Sequence, residues 1–127
     1  MNPNDYYRLK SAEITEADVR LVAACMSDHV GEENAVRLEA LVKRCGLGER
    51  QVRDILETLV KAYKWPIGAH AGKAGRWIIA NDKERWHVAN ELLSRENELR
   101  ARRRIIEQAH LPAKLELDKQ VPQLGLF

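Results

Sequence analysis

Residues Leu38 to Ala80 read LEALVKRCGLGERQVRDILETLVKAYKWPIGAHAGKAGRWIIA, and this stretch decides the fold. Its first part, Leu38 to Cys45, is a helix-favouring run that stops at Gly46, where a left-handed C-cap needs a residue without a side chain. Leu47 and Gly48 make a tight turn. From Glu49 to Lys64 the apolar residues Val52, Ile55, Leu56, Leu59 and Tyr63 recur in the stripe of a helix buried along one side. Arg50, Arg53, Asp54, Glu57 and Lys61 occupy the opposite face. Pro66 has no amide hydrogen and cannot continue the helix. Pro66 to His70 is therefore predicted as a short strand and Ala71 to Gly75 as a Gly-rich basic loop. Arg76 to Ala80, rich in aromatic and β-branched residues, is predicted as a second strand.

Two short helices joined by a Gly-containing turn carry the helix-turn-helix signature. Helix, turn, helix, strand, basic loop, strand is the order of a winged helix. The run resembles the small winged-helix domains of phage and plasmid replication or regulatory proteins. The residues that carry the likeness are Pro66-Ile67-Gly68 after the second helix and Gly75-Arg76-Trp77-Ile78 in the strand after the wing. The resemblance implies a mainly α fold with a small β wing: a winged helix-turn-helix followed by a long C-terminal helix and a flexible tail. It speaks more to fold than to function.

Outside this stretch the chain divides into an N-terminal arm (1–12), the winged-helix domain (13–81), a long charged helix (82–110) and a linker with a C-terminal peptide motif (111–127). Tyr6 and Tyr7 either dock the arm on the domain or fray with it. Thr15 to Asp18 fits a capping box, with Ile14 and Val19 placed as a hydrophobic staple. The helix that follows should run from Glu16 to about Asp28 and bury Val19, Val22, Ala23, Met26 and Val30. Asn34 to Val36 can add a third strand. Asn81 or Asp82 can cap the long helix, which extends to about Ala109. Its stripe Trp86, Ala89 and Leu93 suits packing on the domain. Leu92, Leu99 and Ile106 recur every seven residues, the spacing of a helix-pairing seam or of isolated apolar residues on a solvated helix.

The chain has 127 residues and a net charge of +2, too mild to argue for nucleic acid by itself. No apolar run approaches bilayer length, no signal-peptide layout opens the sequence, and a cytoplasmic protein without a membrane partner is expected. Cys25 and Cys45 fall in predicted helices and read as small buried hydrophobes. No C-x-x-C pair or apparent His partner calls for a metal, and no cofactor is expected. His29, His70, His87 and His110 are scattered, no nucleophile–base pairing stands out, and no phosphate-loop Gly-x-x-x-x-Gly-Lys occurs, so an enzyme is not expected.

Gln123-Leu124-Gly125-Leu126-Phe127 is the sharpest functional signal. It resembles the Gln-Leu-Ser/Asp-Leu-Phe peptide by which many bacterial proteins bind the DNA polymerase sliding clamp. The resemblance implies that Gln123 makes polar contacts at the pocket edge, Leu124 enters one apolar pocket, and Leu126 with Phe127 fills another. Gly125 departs from the pattern but removes no anchor. Each large apolar side chain contributes roughly 1.5–3 kcal/mol when buried, and Pro122 lowers the ordering cost. The alternative is that Leu124, Leu126 and Phe127 fold back onto the domain itself.

A winged helix of this kind implies double-stranded DNA as a second partner. Arg50, Gln51 and Arg53 stand near the start of the second helix, from which such domains read bases. Lys73 and Arg76 of the wing, with His70, and Lys43 and Arg44 of the preceding helix are candidates for phosphates, as are Arg100, Arg103 and Arg104 of the long helix. Glu49, Asp54 and Glu57 oppose this charge. The expected function is a DNA-replication adaptor, encoded by a phage or mobile element, that joins clamp to DNA or to a replication protein. The alternatives are a dimeric transcription regulator, self-associating through the long helix, and a protein–protein module that binds no DNA.

Overall fold

The computed structural model describes residues 1–70 and 75–112. Among them run α1 (Pro3–Ala12), α2 (Ala17–Met26), a 3-10 turn (Glu32–Asn34), β1 (Val36–Arg37), α3 (Leu38–Cys45), α4 (Glu49–Lys61), β2 (Ile67–Gly68), β3 (Gly75–Ile78) and α5 (Asp82–Glu107). The architecture is mainly helical, with a small antiparallel sheet in the order β1-β3-β2 and a long C-terminal helix. Two compact units are present, Met1–Leu92 and the chain from Leu93 onward.

Helix α3 has the bounds its sequence predicts, because Gly46 (φ 71°) accepts the left-handed cap and donates its N–H to Val42. Helix α4 buries four of the five predicted stripe residues: Val52 and Leu59 are fully enclosed, Ile55 and Leu56 nearly so, while Tyr63 lies beyond the helix end and is half-buried. With Val22, Ala23 and Met26 of α2, Leu38 and Leu41 of α3, and Ile78 of β3 they make the core.

The helix nevertheless stops at Lys61, short of the predicted Lys64. Lys64 takes φ 62°, and Trp65 donates its N–H to the carbonyl of Leu59 at 2.9 Å. A left-handed lysine costs roughly 1–2 kcal/mol. The reversal turns Trp65 into the core, where it is 6% exposed. Burial of a large indole offsets that strain.

The wing pairs Ile67 with Ile78 and Gly68 with Trp77. Gly68 allows a close approach there: a Cβ would stand 3.0 Å from the Trp77 ring and from Val88, tighter than ordinary contact. The third strand starts two residues later than predicted and ends one later, with Val36 opposite Arg76 and Arg37 opposite Gly75, while Asn34 belongs to the 3-10 turn. The second wing strand ends at Ile78 instead of Ala80.

One open alternative is decided and two expectations are corrected. The arm 1–12 is not frayed but contains α1, started by Asn2, whose Oδ1 accepts from Asp5 N at 2.9 Å, and by Pro3 in the first turn. Tyr7 packs on Trp65 with ring centroids 5.1 Å apart. The capping box at Thr15 does not form. Helix α2 begins from Glu16 without a side-chain cap, and Asp18 accepts instead from the Gln51 amide at 2.9 Å. Ile14 and Val19, the staple positions, are both buried.

The other correction concerns α5. Trp86 is 61% exposed and Leu93 52%, so the stripe Trp86–Ala89–Leu93 does not cover the domain. The most covered positions here are Glu84 and Val88, with Ala89 and Glu91 half-buried beside them; half of these are acidic and so escape a search for apolar residues. Asn81 caps the helix by accepting from Glu84 N at 2.9 Å. The Glu84 carboxylate in turn accepts from Ala80 N at 3.1 Å and from Glu32 N at 3.2 Å. These bonds satisfy amides that would otherwise lack a partner. Glu84→Ala should destabilise the protein by about 1–3 kcal/mol in urea unfolding, because two part-buried backbone amides lose a charged acceptor. Glu84→Gln, which keeps one amide oxygen, should lose less.

From Leu93 to Glu107 the helix carries Leu99, Ile105 and Ile106 exposed. Among the described residues no helix is long and apolar enough to cross a membrane.

Cys25 and Cys45 are both free and buried, as read from the sequence. Burial, and then the hydrogen bond with Cys25, push the Cys45 thiol up to about 12.

Candidate nucleic-acid interface

The sequence places the candidate base-reading residues in the first two turns of α4, after the turn Gly46–Gly48. Arg50 is exposed there, with no partner among the described residues. Arg53 stands 3.6 Å from Glu49, one turn back. Exposed pairs of this kind hold little energy, about 0.3–0.5 kcal/mol, so Arg53 remains available to a ligand. Gln51 is different. Its amide is engaged by Asp18 of α2, and base contact would require breaking that bond.

Arg53 and Arg76 lie on opposite walls of an open groove between α4 and the wing, of about 290 Å³, with Leu56, Val60, Ile67 and Gly68 among its lining. Arg76 is half-buried, donates to its neighbour's carbonyl (Gly75 O) at 3.2 Å, and sits close enough to Arg53 for repulsion. Burial, and then the like charge of Arg53, pull its guanidinium below the ordinary arginine value. An anion between two such groups relieves both costs, and guanidinium forks match phosphate oxygens. The acidic side chain that lines this groove, Glu57, is paired with Lys61.

The flanking candidates separate. Lys43 is exposed on α3. Arg44 is held by Asp28 at 2.9 Å, and Asp28 also takes Arg8 of α1 at 3.0 Å. The Arg44 hydrogen bond, with that of Arg8, holds the Asp28 carboxyl below its usual range. Arg44 thus ties α3 to the end of α2 as well as presenting charge. Lys73 lies outside the described residues. His70 turns toward Glu32 and Glu91, and Glu32 beside it holds its imidazole above the usual value. Arg100 and Arg103 pair along α5 with Glu96 at 3.3 Å and Glu107 at 3.6 Å, whereas Arg104 is exposed without a partner among the described residues.

Gln123, Leu124, Leu126 and Phe127, the candidate clamp-binding residues, lie outside the described residues. Sequence reading missed Asp18, Asp28 and Glu32, the carboxylates that engage Gln51, Arg44 and His70. Only the fold brings them near. Comparison with protein-family models, with curated proteins and with solved structures finds no match to this chain.

Proposed function

We propose that this protein is a cytoplasmic DNA-replication adaptor of a phage or mobile element. Gln123, Leu124, Leu126 and Phe127 dock on the bacterial sliding clamp, while α4 and the wing bind double-stranded DNA. The observation that carries the reading is the pentapeptide Gln123–Phe127, which matches the clamp-binding pattern at every position except Gly125. The DNA arm is supported by exposed Arg50 and by the Arg53–Arg76 pair across the groove. Two modest contacts joined on one chain give an avidity neither has alone.

The DNA arm is tested by duplex binding across a range of salt. Arg50→Ala combined with Arg53→Ala should weaken binding by ten- to a hundredfold, or about 1–3 kcal/mol. The slope of log K against log salt should also fall by roughly two if both touch phosphate. Unchanged binding would show that α4 is not the DNA-contacting helix, and a protein ligand for the groove would replace DNA in the proposal.

A second reading is a dimeric regulator. It is favoured by Leu92, Leu99 and Ile106, all more than half exposed and spaced by heptads along α5. Sedimentation equilibrium of the full chain separates the two readings, since the adaptor needs no self-association.

A further inference from the structure

His70 follows β2, and its ring rests on the Trp77 indole with centroids 4.9 Å apart and meets the His87 ring edge-on at 5.4 Å. Its Nδ1 lies 3.5 Å from Glu91 Oε1, and the same oxygen is 3.2 Å from His87 Nε2. His87 and Glu91 stand one turn apart on α5, so both side chains share one helix face. Three potential donor atoms, one each from His70, His87 and Glu91, therefore converge within 4.8 Å of one another. In a tetrahedral zinc centre, bonds of about 2.0–2.2 Å place neighbouring donor atoms roughly 3.3 Å apart. The two contacts to Glu91 Oε1 lie on either side of that value.

Two further observations point to a cation. Glu32 contacts His70 Nε2, the ring nitrogen turned away from Glu91. A carboxylate on the far nitrogen fixes the proton there and leaves the near lone pair free, the support that metal-binding histidines usually have. Glu91 Oε2 is buried with no hydrogen-bond partner among the described residues. A carboxylate oxygen in that position calls for a partner.

We propose that His70, His87 and Glu91 bind a divalent transition-metal ion, zinc foremost, with Glu32 as the positioning residue of His70. Two imidazoles and one carboxylate suit zinc and disfavour magnesium or calcium, which take oxygen donors. Three protein donors leave one tetrahedral position for water. The ion would join the end of β2 to α5 and, through Glu32, to the 3-10 turn, so it would fix the wing against the helix that follows it. Sequence reading missed the group because its members stand at 32, 70, 87 and 91. Only the one-turn spacing of His87 and Glu91 was visible.

The test uses untagged full-length protein. Calorimetric titration with zinc should show one ion per chain with a dissociation constant in the micromolar range or tighter, and cobalt should give the visible absorption of a tetrahedral centre. Thermal unfolding should rise by several degrees with zinc and not with magnesium. His87→Ala, at an exposed position, should weaken zinc at least a hundredfold. The isosteric Glu91→Gln should weaken it tenfold or more, and Glu32→Gln should cost about 10–100-fold as an orienting partner. His110→Ala should change nothing. Absence of zinc uptake, or uptake that neither His87→Ala nor Glu91→Gln diminishes, would overturn the assignment.

Discussion

A chain lacking Gln123–Phe127 is expected to bind purified bacterial sliding clamp at least a hundredfold more weakly than the full chain. The magnitude follows from the side chains. Leu124, Leu126 and Phe127 each contribute roughly 1.5–3 kcal/mol on burial, and part of this is offset by ordering the peptide. Loss of the Leu126 and Phe127 anchors alone, as Leu126→Ala with Phe127→Ala, should remove about 3–6 kcal/mol, which is a factor of roughly 10²–10⁴ in affinity. Gln123→Ala removes polar contacts at the pocket edge and should cost less, about 1 kcal/mol. Gly125→Ser restores the family pattern and stiffens the backbone, so it should tighten binding a fewfold. Titration of labelled clamp, with the thermal unfolding of each variant as a folding control, measures the whole series. Equal affinity for the full and shortened chains would end the replication reading, because nothing else in the molecule favours the clamp.

Trp77→Ala is expected to be the most damaging single substitution in the Met1–Leu92 unit. Trp77 is 1% exposed, pairs with Gly68 across the wing, and carries the His70 ring. Emptying a buried tryptophan site costs about 3–5 kcal/mol. For a unit of this size each kcal/mol moves the melting midpoint by roughly 4–8 °C, so a fall of about 15–30 °C should appear in a thermal melt. Trp77→Phe tests the reason. The indole Nε1 is buried without a hydrogen-bond partner among the described residues. An unsatisfied donor costs about 1–3 kcal/mol. Phenylalanine removes that donor while keeping much of the ring, so its loss should be far smaller than that of alanine. Equal losses for the two variants would mean that indole shape, and not apolar volume, holds the wing.

What the sequence reveals of this fold is what is encoded locally. Gly46 marks the end of α3, the Val52–Leu59 periodicity marks α4, and Asn81 marks the start of α5. Each depends on neighbours within one or two turns. The misjudged elements depend on distant partners. Helix α1 buries little apolar surface, so no stripe reveals it, although Asn2-Pro3 spelled a helix start. The end of α4 is set by Trp65 reaching the core, an effect no propensity carries. The buried side of α5 contains two glutamates whose partners, Glu32 N for one and His70 for the other, come from earlier in the chain.

The same division runs through the candidate site. Arginine and lysine positions are plain in the sequence, but their availability is not. Arg44 and Gln51 find their carboxylates 16 and 33 residues away. Charge counting along one helix could not distinguish them from Arg50. The groove between Arg53 and Arg76 likewise exists only once the wing folds back beside α4.

The buried thiols of Cys25 and Cys45 bear on how the body of this protein opens. Burial holds the Cys45 thiol well above the ordinary cysteine range, so it stays protonated at neutral pH. An electrophile in solution can reach neither sulfur while α2 and α3 remain together, since both are buried. The pace of alkylation therefore clocks the breathing of those two helices, and the chain carries its own probe of that motion without any engineered label.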